Sequence, residues 1–240
     1  MHVYANPARF LKIARPLTAW LGWAGAALIA LSLVWGLFMA PRDYLQGESV
    51  RILYVHVPAA WLAMGGWTGI AISSLMQLVW RHPLAAVAAR AIAVPGAVFT
   101  FICLVTGSLW GRPTWGTYWE WDGRMTSMLV LLFLYVGYIA LANAEKEQEG
   151  EGRITAIFGL VGAVNLPIIH YSVTWWNTLH QGQSISFVRG SSTIDTSMLW
   201  PLLGSWFGFS LLFGAVVLMR MRAELARNKI EARMKRMAAQ

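Results

Sequence analysis

Two histidines and a dense group of tryptophans are the residues in this chain best suited to chemistry. His56 stands just before Val57-Pro58, where a long apolar run begins, and His180 follows Trp176 by four residues, where another has ended. Between them lies Trp110-Gly-Arg-Pro-Thr-Trp115-Gly-Thr-Tyr-Trp119-Glu-Trp121-Asp-Gly-Arg124, with four tryptophans in twelve residues. Imidazole nitrogen is a good ligand for iron, indole offers a flat apolar face, and guanidinium pairs with carboxylate in bidentate fashion. These are the parts that a non-covalent iron porphyrin requires. His56 and His180 would be the two axial ligands. Trp110, Trp115, Trp119 and Trp121 would line the ring, and Arg51 and Arg124 would meet the anionic propionates. In a helical loop, Trp115 and Trp119 at i and i+4 would share one face as an aromatic platform. Asp122 is a further candidate contact, with a salt bridge to a loop arginine as its plainer role.

Each residue also has a structural reading. Tryptophan and tyrosine gather at both membrane–water interfaces as an aromatic belt, although a belt does not explain why they crowd one loop together with Gly111, Gly116, Gly123, Arg112 and Arg124. A lone interfacial histidine is usually a hydrogen-bonded structural residue. Two of them at one interface, flanking an aromatic segment, favour ligation instead. His170, inside the fifth apolar run, is a functional candidate by its location, with a structural role preferred. His2 and His82 fall on the other side, and Glu120 and Asp195 read as solvated.

The elements that must carry these residues are membrane helices. Of 240 residues, 57 % are hydrophobic and 12 % charged, whereas a soluble domain is about one quarter charged. Crossing the bilayer takes about 20 apolar residues, and six stretches qualify: 17–40, 57–80, 88–109, 127–143, 154–176 and 198–219. The chain is therefore read as one all-α, polytopic domain over 1–240, with a tryptophan-rich segment at 110–126 and a basic tail at 220–240. The first run is too long for a signal peptide's apolar region, about 7–15 residues, and reads as an uncleaved span. Pro95-Gly96 predicts a kink in the third span, and the Gly65/Gly69 and Gly204/Gly208 pairs permit close helix contact.

Charge sets the orientation. With both termini cytoplasmic, fourteen of the 19 Lys and Arg fall inside, and Arg42, Arg51, Arg112, Arg124 and Arg189 remain outside; this satisfies the positive-inside rule. The acidic stretch 145–151 counts for little against it. His56, the tryptophan segment and His180 then share the outer face. The net charge of +8 lies mostly in the tail, which reads as an anchor near anionic lipid, not as a nucleic-acid site. Cys103 is the sole cysteine, which excludes a disulfide framework and covalent haem attachment through C-x-x-C-H. No P-loop motif occurs, so any ATP hydrolysis belongs to a partner.

Three separated motifs carry a family resemblance that extends over nearly the whole chain. Trp110-Gly111-x-x-x-Trp115-Gly116-x-Tyr118-Trp119-x-Trp121-Asp122-x-Arg124-x-Thr126 resembles the tryptophan-rich WWD signature of haem-handling proteins of cytochrome c maturation. Tyr54-Val-His56-Val-Pro-Ala-Ala-Trp61 and Trp175-Trp-Asn-Thr-Leu-His180-Gln-Gly182 resemble the two histidine motifs of the haem exporter protein C (CcmC) family. Tyr118 replaces a family tryptophan and Met125 a family leucine, and both changes keep the surface apolar. Six spans favour this family over its larger relatives.

The resemblance implies haem b held at the periplasmic face of the bacterial inner membrane, with His56 and His180 as axial ligands and the 110–126 loop presenting it. It implies delivery to the haem chaperone CcmE, in a complex with CcmA, CcmB and CcmD in which CcmA supplies the ATPase. It implies a binding and delivery subunit, not an enzyme. The main alternative is a b-type cytochrome redox subunit, which favours histidine pairs at two depths so that electrons can cross. A transporter would show charged or broken helices near the midplane, and a scaffold would bind no haem.

Overall fold

A computed structural model of the protein describes residues 6–147, 152–180, 182, 185–186 and 191–239. His2, Arg189 and the stretch 148–151 lie outside them. Among the described residues the regular structure is helical apart from a two-residue antiparallel ladder, and six helical spans are long and apolar enough to cross a membrane. It is a multi-pass membrane protein.

The first helix, α1 (Pro7–Val34), starts where the Asn6 side chain accepts from the Ala8 N–H at 2.8 Å, with Pro7 in the first turn. It closes in a π-helical turn, Trp35–Met39, before Pro41 prevents continuation. A 3-10 turn, Glu48–Ile52, leads directly into α2 (Leu53–Trp80). α2 stops at Arg81 in the left-handed region, just before His82-Pro83. α3 (Ala85–Trp115) ends at Gly116, whose φ of 83° suits glycine. α4 (Gly123–Glu147) follows, then α5 (Arg153–Gly162), α6 (Asn165–Trp175) and α7 (Thr196–Ala238).

The six expected spans are all present, but the fifth is broken in its middle between α5 and α6. Pro167 has no N–H to give the carbonyl of Ala163, and that carbonyl instead accepts from the Leu166 N–H at 3.0 Å. Asn165 is buried and donates through Nδ2 to the Ser127 carbonyl at 2.9 Å, so α4 supplies a partner at the break. Pro95-Gly96, by contrast, stays inside one continuous helix. The missing side chain at Gly96 gives room to the Tyr135 ring, whose hydroxyl donates to the Ala63 carbonyl at 2.7 Å. The basic tail also continues α7 as helix as far as Ala238.

Two helix groupings make the interior. Trp67, Ile70, Leu131, Tyr135 and Tyr138 are buried where α2, α3, α4 and α5 meet, and the Trp67 indole donates to the Gly159 carbonyl at 3.2 Å. α1 packs along α7 almost backbone to backbone. A Cβ on Gly25 would stand 2.8 Å from the Leu212 nitrogen, and one on Gly208 would stand 2.9 Å from the Ile29 nitrogen. Of the two glycine pairs, Gly204/Gly208 thus makes the expected contact, while Gly65 faces open space. Large apolar side chains such as Trp20, Trp23, Phe101 and Phe133 are exposed, as surfaces solvated by lipid require. The starts of α2, α4 and α7 and the ends of α1, α3 and α6 gather at one end, and that end carries the candidate site.

Candidate functional site

His56 sits in the first turn of α2, not in a preceding loop, and its Nδ1 is tied to α3. It lies 3.1 Å from the Cys103 carbonyl and 3.0 Å from Thr106 Oγ1. The Thr106 hydroxyl already donates to the Ile102 carbonyl at 2.6 Å, so both neighbours of Nδ1 present lone pairs. The proton therefore belongs on Nδ1, and Nε2 carries the free electron pair. Gly107 lies beside this ring: a Cβ there would come within 3.0 Å of His56 Cε1. Trp110, one turn further along α3, stands edge-on to the imidazole with centroids 5.6 Å apart. Its indole N–H donates to Gln46 Oε1 at 2.8 Å, fastening the first loop over the helix end.

His180 is held in the same way from the opposite side. Its Nδ1 lies 2.6 Å from Asp122 Oδ2, and Thr178 donates its hydroxyl to that same oxygen. The His180 N–H in turn donates to Thr178 Oγ1 at 3.1 Å. Asp122 is nearly buried and also starts α4, with Oδ1 accepting from the Met125 N–H at 2.7 Å. Burial would raise the Asp122 carboxyl, but hydrogen bonds from Thr178, Met125 and His180 outweigh it and hold it below its ordinary value. Burial, aided by the charge of Arg124, lowers His180 below the usual histidine value, against the pull of Asp122. The pair is thus a neutral imidazole N–H bonded to a carboxylate, again with the proton on Nδ1 and Nε2 left bare.

Asp122 is not bridged to a loop arginine as the sequence suggested; it lies behind His180 and orients it. In metal-binding histidines an acceptor on one ring nitrogen fixes the tautomer for the other in the same manner. No described residue bonds to Nε2 of either ring. Both rings lie along the last turns of α3, His56 against Thr106 and Trp110 and His180 against Trp115, which brings them to one end of the molecule although they are 124 positions apart. The Arg124 guanidinium has no hydrogen-bond or ion-pair partner among the described residues. Arg51 is already engaged: it pairs with Glu48 and donates to the Gly36 carbonyl at 2.8 Å.

The tryptophans divide into two groups. Trp110 accompanies His56, and Trp115, the last residue of α3, lies against His180 with centroids 4.7 Å apart. Gly116 ends the helix there, so Trp119 lies in the non-helical segment that follows and the expected i, i+4 platform does not form. Trp119 instead meets Trp121 edge-on at 5.3 Å, and Trp121 is 73 % exposed. The buried Trp119 indole N–H meets no acceptor among the described residues. His170 is on an exposed face of α6, edge-on to Tyr171 at 4.8 Å, away from the two paired imidazoles. Asp195 is not merely solvated, since it caps α7 by accepting from the Ser197 N–H at 2.9 Å. Thr106, Thr178 and the Cys103 carbonyl were missed in the sequence; only the two-residue spacing of Thr178 from His180 hinted at a local turn.

Among the described residues, no group of three or more His, Cys, Asp or Glu could hold a bare metal ion. Two bare imidazole nitrogens suit an iron whose other four ligands come with it. Fold and site together define a six-span membrane protein with a paired-histidine, tryptophan-rich site at one end. Comparison with known proteins supplies the family: the model for Heme exporter protein C matches residues 1–236, and the chain belongs to that family. It is 50 % identical over 228 residues to a Heme exporter protein C of Bradyrhizobium diazoefficiens, covering 95 % of this chain and 86 % of the relative. The Escherichia coli K12 protein of that name is 50 % identical over 222 residues, covering 92 % and 89 %. The Paracoccus denitrificans one is 42 % identical over 230 residues, covering 95 % of each.

Proposed function

We propose that this protein binds haem b non-covalently between His56 and His180 and presents it to the haem chaperone CcmE during cytochrome c maturation. The observation that carries this reading is the shared bonding pattern: each Nδ1 faces an acceptor, and neither Nε2 has a partner among the described residues, which leaves both suited to bind iron. The unpaired Arg124 guanidinium and the unmet Trp119 N–H are suited to propionates, whereas Arg51 would have to exchange existing partners. Trp110 and Trp115 flank the ligands, and exposed Trp121 leaves a surface for the chaperone. The names of the relatives support a haem cargo.

The distribution of basic residues supports cytoplasmic termini, and hence a site at the periplasmic face of the bacterial inner membrane. The protein acts as a delivery subunit and not as an enzyme, alongside CcmA, CcmB and CcmD, with ATP hydrolysed by CcmA. The test is the visible spectrum of the detergent-purified protein, oxidised and then dithionite-reduced. Low-spin haem with sharp reduced α and β bands is expected, and His56→Ala or His180→Ala should each give five-coordinate haem. No Soret band after haem is supplied, or an unchanged spectrum in either variant, refutes the ligation.

A further inference from the structure

At the end remote from the histidines, α1 and α7 form an open groove of about 530 Å³ lined by Leu11, Lys12, Arg15, Pro16 and Arg222. A second one, about 500 Å³, continues it past Met219 and Ala223. The helix register explains why cations meet here. Gly22 stands beside Ala215 and Gly25 beside Leu212, and carrying that antiparallel alignment two turns further brings Arg15 level with Arg222. Two guanidiniums and an ammonium thus share one groove. None of the three has a hydrogen-bond or ion-pair partner among the described residues. The nearby acids of α7 are committed elsewhere, Glu224 to Arg90 at 3.6 Å and Glu231 to Arg227 at 2.7 Å. Like charges so placed repel, and a bound anion would reverse the sign of that interaction.

We propose that this groove binds the phosphate headgroup of an anionic phospholipid. Position selects the lipid. The cations stand where the apolar runs begin, next to Leu17 on α1 and Met219 on α7, which is the depth of the headgroups. Leu11 and Met219 line the same groove, are exposed, and offer an acyl chain an apolar wall. Arginine suits the headgroup because its planar fork pairs phosphate oxygens two at a time.

The test uses the full-length protein in detergent, with lipid retention read by native mass spectrometry and stability by thermal melting. Added dioleoyl phosphatidylglycerol should be retained over dioleoyl phosphatidylcholine, and an equal concentration of inorganic phosphate should not displace it. Each basic residue near a membrane surface changes anionic-lipid affinity about fivefold. Arg15→Gln with Arg222→Gln should therefore weaken phosphatidylglycerol retention about 25-fold, and should raise Tm without lipid by removing the repulsion. Lys12→Gln, a milder change, should weaken retention about fivefold. Equal retention of the two lipids by the unaltered protein, or undiminished phosphatidylglycerol retention in these variants, overturns the proposal. Displacement by inorganic phosphate overturns it in favour of a soluble anion.

Discussion

Replacing Asp122 by asparagine should damage the proposed haem ligation more than replacing it by alanine, although asparagine is the closer match in shape. The reason lies in the two bonds at the carboxylate. Oδ1 accepts from the Met125 N–H at 2.7 Å, and Oδ2 faces His180 Nδ1 at 2.6 Å. An asparagine must keep its oxygen toward Met125 to cap α4, which turns its NH2 toward His180. Nδ1 then has to accept, the ring proton moves to Nε2, and the electron pair meant for iron is lost. Recovering the correct tautomer means breaking one hydrogen bond in a nearly buried site, about 1–3 kcal/mol, or about 5- to 150-fold in haem affinity. Loss of a second-shell partner typically costs about 10–100-fold in metal affinity, within the same range. Alanine imposes no wrong tautomer, because Thr178 Oγ1, 3.3 Å from Nδ1, is left to accept the proton. Its cost is the helix cap, about 1 kcal/mol of stability. Haem titration followed at the Soret band, with a thermal melt beside it, separates the two effects. Two results would refute this reasoning: Asp122→Asn binding haem as tightly as the unaltered protein, or Asp122→Ala binding it more weakly than Asp122→Asn.

Two further outcomes follow from the same site. Trp115→Ala together with Trp119→Ala should lower haem transfer to the chaperone by about 30-fold, taking ~1 kcal/mol for each lost aromatic contact; transfer at the unaltered rate rules out a presenting role for the loop. His180 is held below its ordinary value of 6.5 chiefly by burial, so its ligating neutral form is present above that lowered value and lost as pH falls through it. Nitrogen NMR of histidine-labelled, haem-free protein should show His180 neutral at pH 6.5, and a protonated ring there contradicts the assignment.

The sequence made the apolar runs legible because five of the six exceed the roughly 20 residues a bilayer demands and the fourth, 127–143, falls only slightly short; all six are present. His56, His180 and the tryptophan segment were legible because such residue types seldom crowd membrane interfaces together. Less legible were the groups that orient the two histidines. Asp122 and His180 are 58 positions apart, and Thr106 is 50 from His56; no periodicity encodes bonds of that range. The lost Trp115–Trp119 platform has a local cause that was available, since Gly116 between them is the residue best able to take the left-handed turn that ends α3. The break in the fifth span was also signalled, by Asn165 and Pro167 in an otherwise apolar run. Charge bias alone carries the orientation.

That break has a mechanical meaning. α6 packs mainly on α4, while α5 packs on α2 and α4, and α2 with α3 forms the frame around His56. His180 follows α6 but is latched to Asp122 at the head of α4, which packs on α3, so it is tied both to the outer half of the broken span and to the frame that holds His56. A tilt of α6 at the joint, residues 163–164, would therefore load the Asp122–His180 bond while the α2–α3 frame around His56 stays in place. A site built this way has one side that can be adjusted while the other stays fixed.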